Sequence, residues 1–445
     1  MSRIRPLLFR YTSLTLILMI ILTSYGCANR MLPSSGSLPV LPKETIAAAS
    51  ASGVPPARGP KSHAPKLPQH VFLIVLENEG YDVTFGANST AYLKTLAKQG
   101  VLLTHYYGIG HQSLDNYVAM ISGQAPNKDT QSDCPLFKNV EVAEGNQDSR
   151  RNPILNSEGQ VVGEGCVYPL GVSTIADQLD TAHKFTWKAY MEDMGNASHN
   201  DRRHEVDERS RCRHPRVGTW DGTFDSVSHH LPSRKGGSVC NTPYNPFVYF
   251  HSIIDDDKDC TEHDVPLVDG AGEGLQKDLH NVETTPNFAF ISPNLCHDGH
   301  DPAPKERKQG LRNCRSGVEG GIQAVNKFLL DWIPTIERSP AFKKDGLLII
   351  TFDEAEDEGA PHPDFSATAD ERPGPNVLKP GRKGPGGGSV GTVVLSPFVK
   401  PGSSNDTDYN HYSLLRSIED LFGLDHLGFA GQPRLKTFQD GGVFD

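Results

Sequence analysis

An α/β fold, built on a mostly parallel central sheet with helices on both faces and an inserted cap region, is what this 445-residue chain predicts. Three observations carry that expectation. Short apolar runs such as Val71–Leu76 (VFLIVL) and Leu347–Phe352 (LLIITF) contain no charged position, as strands buried on both faces require. Such runs alternate with helical patterns, the signature of a sheet covered on both sides. Polar residues follow two of the runs directly, at the strand ends where open α/β sheets bind ligands.

In chain order, the first feature is an export signal. Arg3, Arg5 and Arg10 precede the apolar stretch Leu14–Leu22, and small or polar residues lead to Gly26-Cys27. A cysteine placed so resembles the lipid-attachment site of bacterial lipoproteins, although Ser24 stands where that pattern prefers leucine. Residues 1–26 are expected to be removed, which takes the net charge from −11 to −14 because three arginines go with them. Residues 27–65, rich in Pro, Ser, Ala and Gly, read as a disordered linker with a lipid-anchored start at Cys27. The catalytic domain spans 66–445, with its folded part starting near Leu67.

Within it, Val71–Leu76 is the first strand, Ala91–Gly100 a helix and Val101–Tyr106 a second strand. Asn116–Ser122 and Ile175–Thr181 read as helices, and Thr186–Met191 as a strand. Phe288–Ile291 and Leu347–Phe352 are buried strands, with a helix over Ala324–Ile336 between them. Gly391–Ser396 is a further strand, and Tyr412–Phe422 a closing amphipathic helix with Leu414, Leu415, Ile418 and Leu421 on one face. Residues 131–285 have little periodicity and read as the cap. Asp353–Val390, rich in Gly, Pro and acids, reads as a long loop after a central strand. Seven cysteines follow Cys27, and in an exported chain their expected use is disulfides. Pairing neighbours (134–166, 212–240, 296–314) would leave Cys260 alone, but spacing does not decide connectivity.

Charge and motifs exclude several classes. With 43 Lys+Arg against 54 Asp+Glu, the chain lacks the basic face of a nucleic-acid binder. No GxxxxGK[ST] occurs. The one GxSxG match, Gly387–Gly391, ends a glycine-rich loop and leads into a strand, the reverse of a nucleophile elbow. Asp255, Asp257 and Asp259 imitate a calcium loop, but Cys260 and Pro266 stand where Gly and Glu are needed.

The chemistry gathers elsewhere. Glu77-Asn78 follows the first strand and Asp353-Glu354 follows Leu347–Phe352, giving four oxygen donors at one sheet edge for a divalent cation. Gly110-His111-Gln112-Ser113-Leu114-Asp115-Asn116 runs into a helix, where free N–H groups favour anions and a hydroxyl is placed to attack phosphorus. Asn294-Leu295-Cys296-His297-Asp298-Gly299-His300-Asp301 packs His and Asp into a loop after a strand. His411 precedes the closing helix.

Taken in order, Glu77-Asn78, HQSLDNYVAMISG, SPNLCHDGHD, TFDEAEDEG, LSPFVKPG and NHYSLLRSIEDLFG resemble the phosphoesterase family of bacterial and fungal acid phosphatases and bacterial phospholipases C, within the alkaline phosphatase superfamily. The resemblance covers roughly His70 to Leu424. It implies an alkaline-phosphatase-like fold and hydrolysis of phosphoric esters through a phosphoserine on Ser113. Asn116 is then expected to steady the phosphoryl group, and His300 or His411 to protonate the leaving oxygen. Glu77, Asn78, Asp353, Glu354 and Ser113 become metal ligands, with Asp298 a further one, and His111, His297 and Lys188 contact substrate. The resemblance implies one metal, among Mg, Mn, Ca, Zn and Fe, because Cys296 stands where two-metal members have an aspartate. Gln112 replaces a frequent proline, a change expected to cost rigidity. The expected partner is a phosphate ester, with membrane contact through Cys27 or a lipid substrate. The expected location is periplasmic, surface-anchored or secreted. The leading expectation is a phosphomonoesterase; the alternatives are a phospholipase C and a non-catalytic surface lipoprotein.

Overall fold

The structure is a computed structural model that describes residues 67–110, 112–192, 194, 214–220, 245–268, 274–294, 297–300, 321–355 and 386–444. The expectations for the export signal, Cys27 and the linker lie outside the described residues, as does that for His111. No helix among the described residues is long and apolar enough to cross a membrane.

Eight strands form one sheet. They are β1 (His70–Leu76), β2 (Val101–Leu103), β3 (Trp187–Met191), β4 (Asp264–Pro266), β5 (Phe288–Ser292), β6 (Gly346–Phe352), β7 (Thr392–Leu395) and β8 (Ser403–Asn405). Their spatial order is β8-β2-β7-β6-β1-β5-β3-β4. The two unbroken apolar runs occupy its centre: every residue of β1 and β6 is buried, and they pair in parallel from His70↔Gly346 to Leu76↔Phe352. Each large apolar side chain so buried contributes about 1.5–3 kcal/mol, so this pair anchors the core. The sheet is mostly parallel, as expected, but β7 runs antiparallel to both β6 and β2.

Four helices matter for the site: α1 (Ser113–Ser122), α2 (Ile175–Ala182), α3 (Ile322–Arg338) and α4 (His411–Phe422). All ten residues of α1 are buried, and α4 packs against it. Asn410 caps α4, accepting from the Tyr412 and Ser413 amides, and the Ser413 hydroxyl accepts from the Asn410 amide.

Several expectations change. The helix over 91–100 contracts to Leu93–Leu96. The strand over 101–106 ends at Leu103, and Tyr106–Tyr107 instead pairs with Tyr409–Asn410 in a separate ribbon. Residues 131–285 do not form a cap throughout, because β3 and β4 within them pair into the central sheet beside β5. The remainder carries two small ribbons, Leu136–Phe137 with Thr219–Trp220 and Glu141–Val142 with Gly163–Glu164. Cys134 and Cys166 are joined, with Cα atoms 6.0 Å apart, as neighbour pairing expects. Cys260 is disulfide-bonded too, so it is not the cysteine left over. The acidic run that imitates a calcium loop is a helix start, with Asp256 accepting from the amides of Lys258 and Asp259.

The register also locates Lys188. It pairs with Ala289, which is level with Phe72, five residues before Glu77 on β1. At about 3.3 Å per residue, Lys188 lies roughly 16 Å along the strands from the carboxyl edge. There its Nζ is 2.6 Å from Asp278 Oδ2, which also accepts from the Tyr190 hydroxyl at 2.7 Å. The expected substrate contact is therefore a structural ion pair. Lys188→Met should leave kcat and KM for a phosphate ester within about twofold while lowering the melting temperature, since Asp278 loses its cation.

A second prediction concerns Asp264, the first residue of β4. It is buried; Asn245 Nδ2 donates to its Oδ2 at 2.5 Å, and its Oδ1 has no partner. Burial pushes its carboxyl up to about 7. The folded chain thus keeps a proton that the unfolded chain releases near pH 4. The stability this group confers is complete below that value and is lost as pH rises towards 7. Asp264→Asn should raise stability at pH 7.5 by roughly 2–4 kcal/mol and change little at pH 4, as read by denaturant melts at both.

Candidate active site

The parallel register of β1 and β6 brings their two polar continuations together. Leu76 is level with Phe352, and the Asp353 amide donates to the Leu76 carbonyl at 2.9 Å. Glu77 and Asp353, both fully buried, thus lie at the same edge. The Asn78 backbone turns into the left-handed region (φ 57°), which asparagine tolerates better than most residues, and its amide donates to Asp353 Oδ1 at 3.1 Å.

On the other side of β1, the loop after β5 closes against Glu77. The Glu77 amide donates to the Asp298 carbonyl at 2.8 Å. Gly299 (φ +113°) lies so close to the Glu77 carbonyl that a Cβ there would come within 2.8 Å of it. Only glycine fits both that conformation and that approach. The His300 amide donates to Asp298 Oδ1 at 3.0 Å, which folds this loop onto its own aspartate.

Helix α1 enters the same place. Ser113 is its first residue, is nearly buried, and donates its hydroxyl to Glu77 Oε2 at 2.8 Å. Three oxygens facing this junction are buried and have no hydrogen-bond partner: Glu77 Oε1, Asn78 Oδ1 and Asp353 Oδ2. Burial, then the charges of Asp353 and Asp298, push the Glu77 carboxyl well above the usual range. Burial and the neighbouring Glu354 raise Asp353 likewise. Acids so placed hold protons or a cation. Among the described residues no three His, Cys, Asp or Glu are grouped so as to hold a metal ion by themselves. A cation would therefore draw on the Asn78 amide oxygen and the Ser113 hydroxyl as well. That all-oxygen set, with three unpartnered members, fits a hard divalent ion.

Other expected site residues are used differently. Asn116 is fully buried, and its side chain is bonded throughout to the turn before α1. Its Oδ1 accepts from the Ile109 and Gly110 amides at 2.8 and 3.2 Å, and its Nδ2 donates to the Gly110 and Gln112 carbonyls at 2.9 and 3.2 Å. It shapes the nucleophile turn and has no donor left for a phosphoryl group. Glu354 Oε2 accepts from the Gln112 amide at 2.8 Å, so one oxygen of this expected ligand holds the same turn. Gln112 itself has φ 107°. A proline, fixed near φ −65°, could not take that conformation, so glutamine here belongs to a different turn and is not a loosened form of the proline one.

His297 Nδ1 lies 2.8 Å from Glu192 Oε1, and the ring sits 6.3 Å from that of Phe328 on α3. Its expected substrate contact is replaced by this pairing. His411 is fully buried, and both ring nitrogens are engaged: Nε2 with the Asp353 carbonyl at 2.6 Å, and Nδ1 with the Tyr106 hydroxyl at 3.0 Å. Burial lowers its basicity to about 4. With both ring nitrogens so engaged, neither is free to face a leaving oxygen.

Two residues had no assigned part in the sequence. Asp115 is fully buried in the first turn of α1 without a partner for either carboxylate oxygen, and burial and Glu354 raise it well above the usual range. Its place two residues after Ser113 was a visible signal. Tyr106 gave none, because it reads as the last residue of an ordinary strand.

Several known proteins have sequences similar to this chain. A probable acid phosphatase of Kluyveromyces lactis is 25% identical over 358 residues, covering 80% of this chain and 59% of its own length. The phosphate-repressible acid phosphatase of Penicillium chrysogenum is 25% identical over 336 residues, covering 76% of this chain and 55% of its own. A phosphatidylinositol-3-phosphatase of Mycobacterium tuberculosis is 20% identical over 365 residues, covering 81% of this chain and 79% of its own. The chain spans somewhat over half the length of the two fungal relatives. The description of the Phosphoesterase family matches residues 85–425, which is most of the sequence, so the chain belongs to the Phosphoesterase family.

Proposed function

We propose that this protein is an exported, metal-dependent phosphoric ester hydrolase, a phosphomonoesterase whose nucleophile is Ser113. One observation carries the reading: a serine hydroxyl at the mouth of α1 donates to Glu77 at 2.8 Å, at the edge where Glu77 and Asp353 meet. The arrangement supplies a nucleophile, a proton acceptor and a helix start in one place. The names of the three relatives, each a phosphatase, favour a monoester over the diester of a phospholipase C.

Ser113 Oγ attacks phosphorus in line with the departing oxygen, forming an O–P bond as the ester P–O bond breaks. Its proton passes along the existing hydrogen bond to Glu77 Oε2. His300, on the loop closed against Glu77, protonates the leaving oxygen. Water then hydrolyses the phosphoserine. Asn116 and Glu354 hold the turn that presents Ser113, which fixes its direction of attack. A divalent ion held by Glu77, Asn78, Asp353 and Ser113 would lower the hydroxyl pKa and offset charge on the phosphoryl oxygens. Export rests on the basic and apolar N-terminus, and a lipid anchor on Cys27.

Purified full-length chain, assayed on p-nitrophenyl phosphate, p-nitrophenylphosphorylcholine and phosphatidylinositol 3-phosphate, should hydrolyse the monoesters and spare the phosphorylcholine diester. Ser113→Ala should lower kcat by about 10³-fold or more. Full turnover in that variant would remove the nucleophile assignment. Metal binding has its own readout. After EDTA treatment, millimolar Mg²⁺ or Mn²⁺ should raise the melting temperature of the wild type but not of Asp353→Asn. In EDTA that variant should melt higher than the wild type, because one of two buried like charges is gone.

A further inference from the structure

Resting on the reading above, we propose that His411 and Tyr106 form a positioning pair for the reaction. His411 grips the Asp353 main-chain carbonyl, and so aims the Asp353 carboxylate at the Asn78 amide, while Tyr106 fixes the histidine in the tautomer that can do so. His411 would then be neither a metal ligand nor a proton donor.

The argument starts from hydrogen-bond chemistry. A main-chain carbonyl only accepts, so the 2.6 Å contact with Asp353 O requires the proton on His411 Nε2. In the neutral ring Nδ1 is then a bare acceptor, and the Tyr106 hydroxyl, 3.0 Å away, donates to it. Tyr106 is itself fully buried, with its ring tilted 56° to the imidazole at 5.5 Å. A polar chain therefore runs from Tyr106 through His411 to the first residue beyond β6. The order Tyr106, His411, Asp353 uses each proton once.

Its end point is the residue on which the site turns. The Asp353 amide is held by Leu76 O and its carbonyl by His411, so the backbone is gripped on both sides of its Cα. The carbonyl also lies against Gly108, where a Cβ would come within 2.7 Å of it. With the main chain so fixed, one carboxylate oxygen meets the Asn78 amide and the other is left facing the junction without a partner. The imidazole is held just as firmly, because His411 opens α4 behind the Asn410–Ser413 cap.

The test separates holding from proton transfer. Glutamine places an amide N–H near the reach of Nε2 and cannot act as a near-neutral acid, whereas leucine supplies neither. His411→Gln should keep kcat within about 10-fold of wild type on p-nitrophenyl phosphate, with the same pH profile. His411→Leu should lose about 10²-fold or more in kcat with little change in KM, and Tyr106→Phe about 10-fold. If glutamine is as damaging as leucine and the basic limb of the pH profile disappears, His411 is a general acid and the proposal fails. Nitrogen-15 histidine NMR of the Ser113→Ala chain, with the His411→Gln spectrum giving the assignment, reads the tautomer without turnover. A protonated Nε2 beside a bare Nδ1 supports the pair; the opposite tautomer overturns it. This readout stands whether or not the chain hydrolyses phosphate. Should His411→Leu not fold, the glutamine and Tyr106→Phe variants still decide.

Discussion

Glu77 and Asp353 lie side by side at the ends of the two central strands, shut off from water, each making ionisation of the other harder. Nothing in a hydrophobic sheet favours that placement, so the surroundings have to sustain it. They do so with donors from two directions, the Asn78 amide to Asp353 and the Ser113 hydroxyl to Glu77, while the loop that carries Asp298 pins the Glu77 main chain. The β1–β6 register is what allows this, since a slip of one residue in either strand would turn its carboxylate to the opposite face. Core packing and site chemistry are in this sense one problem, because the side chains that hold the register are those immediately before the acids.

The groups around the pair divide into those that face the reaction and those that hold them. In the proposed reading Ser113 and Glu77 face it. Asn116, Glu354 and His411 are committed to backbone and Tyr106 to His411, and a buried polar side chain so committed is rigid and expensive to disturb. In the proposed reading this division lets a chain with a large acidic excess suit an anionic ester. Attraction is local, at a helix start and at carboxylates that call for a cation, and the charge of the remaining surface is too far away to matter.

How much of this could be read from the amino-acid order depends on which forces act locally. β1 and β6 were legible because strands buried on both faces leave unbroken apolar runs, and the acids that matter come next in the chain. Ser113 was legible as a hydroxyl just ahead of a helix, though the pattern reads as helical only from Asn116 and α1 begins at Ser113 itself. Asn116 and His411 were found as residues but given other work, since the choice between a phosphoryl oxygen and a main-chain carbonyl is made by tertiary neighbours. Lys188 was misplaced because alternation in a strand says which face a side chain takes, not which end of the sheet it occupies. β7 gave no sign of its direction, as an apolar four-residue strand reads the same either way. Tyr106 was hidden by a two-residue ribbon too short to carry any pattern.

The direction of β7 has a consequence for how such a protein can change. Because β7 returns antiparallel to β6, the chain leaves the sheet after Phe352 and comes back at the same edge, where the Ala355 amide is bonded to the Gly387 carbonyl at 2.7 Å. The two ends of the intervening segment are thus stitched together beside the nucleophile. Residues can be added to or removed from it without shifting a single rung of the sheet. Evolution is free to rewrite what borders the reaction centre while leaving the reaction centre alone.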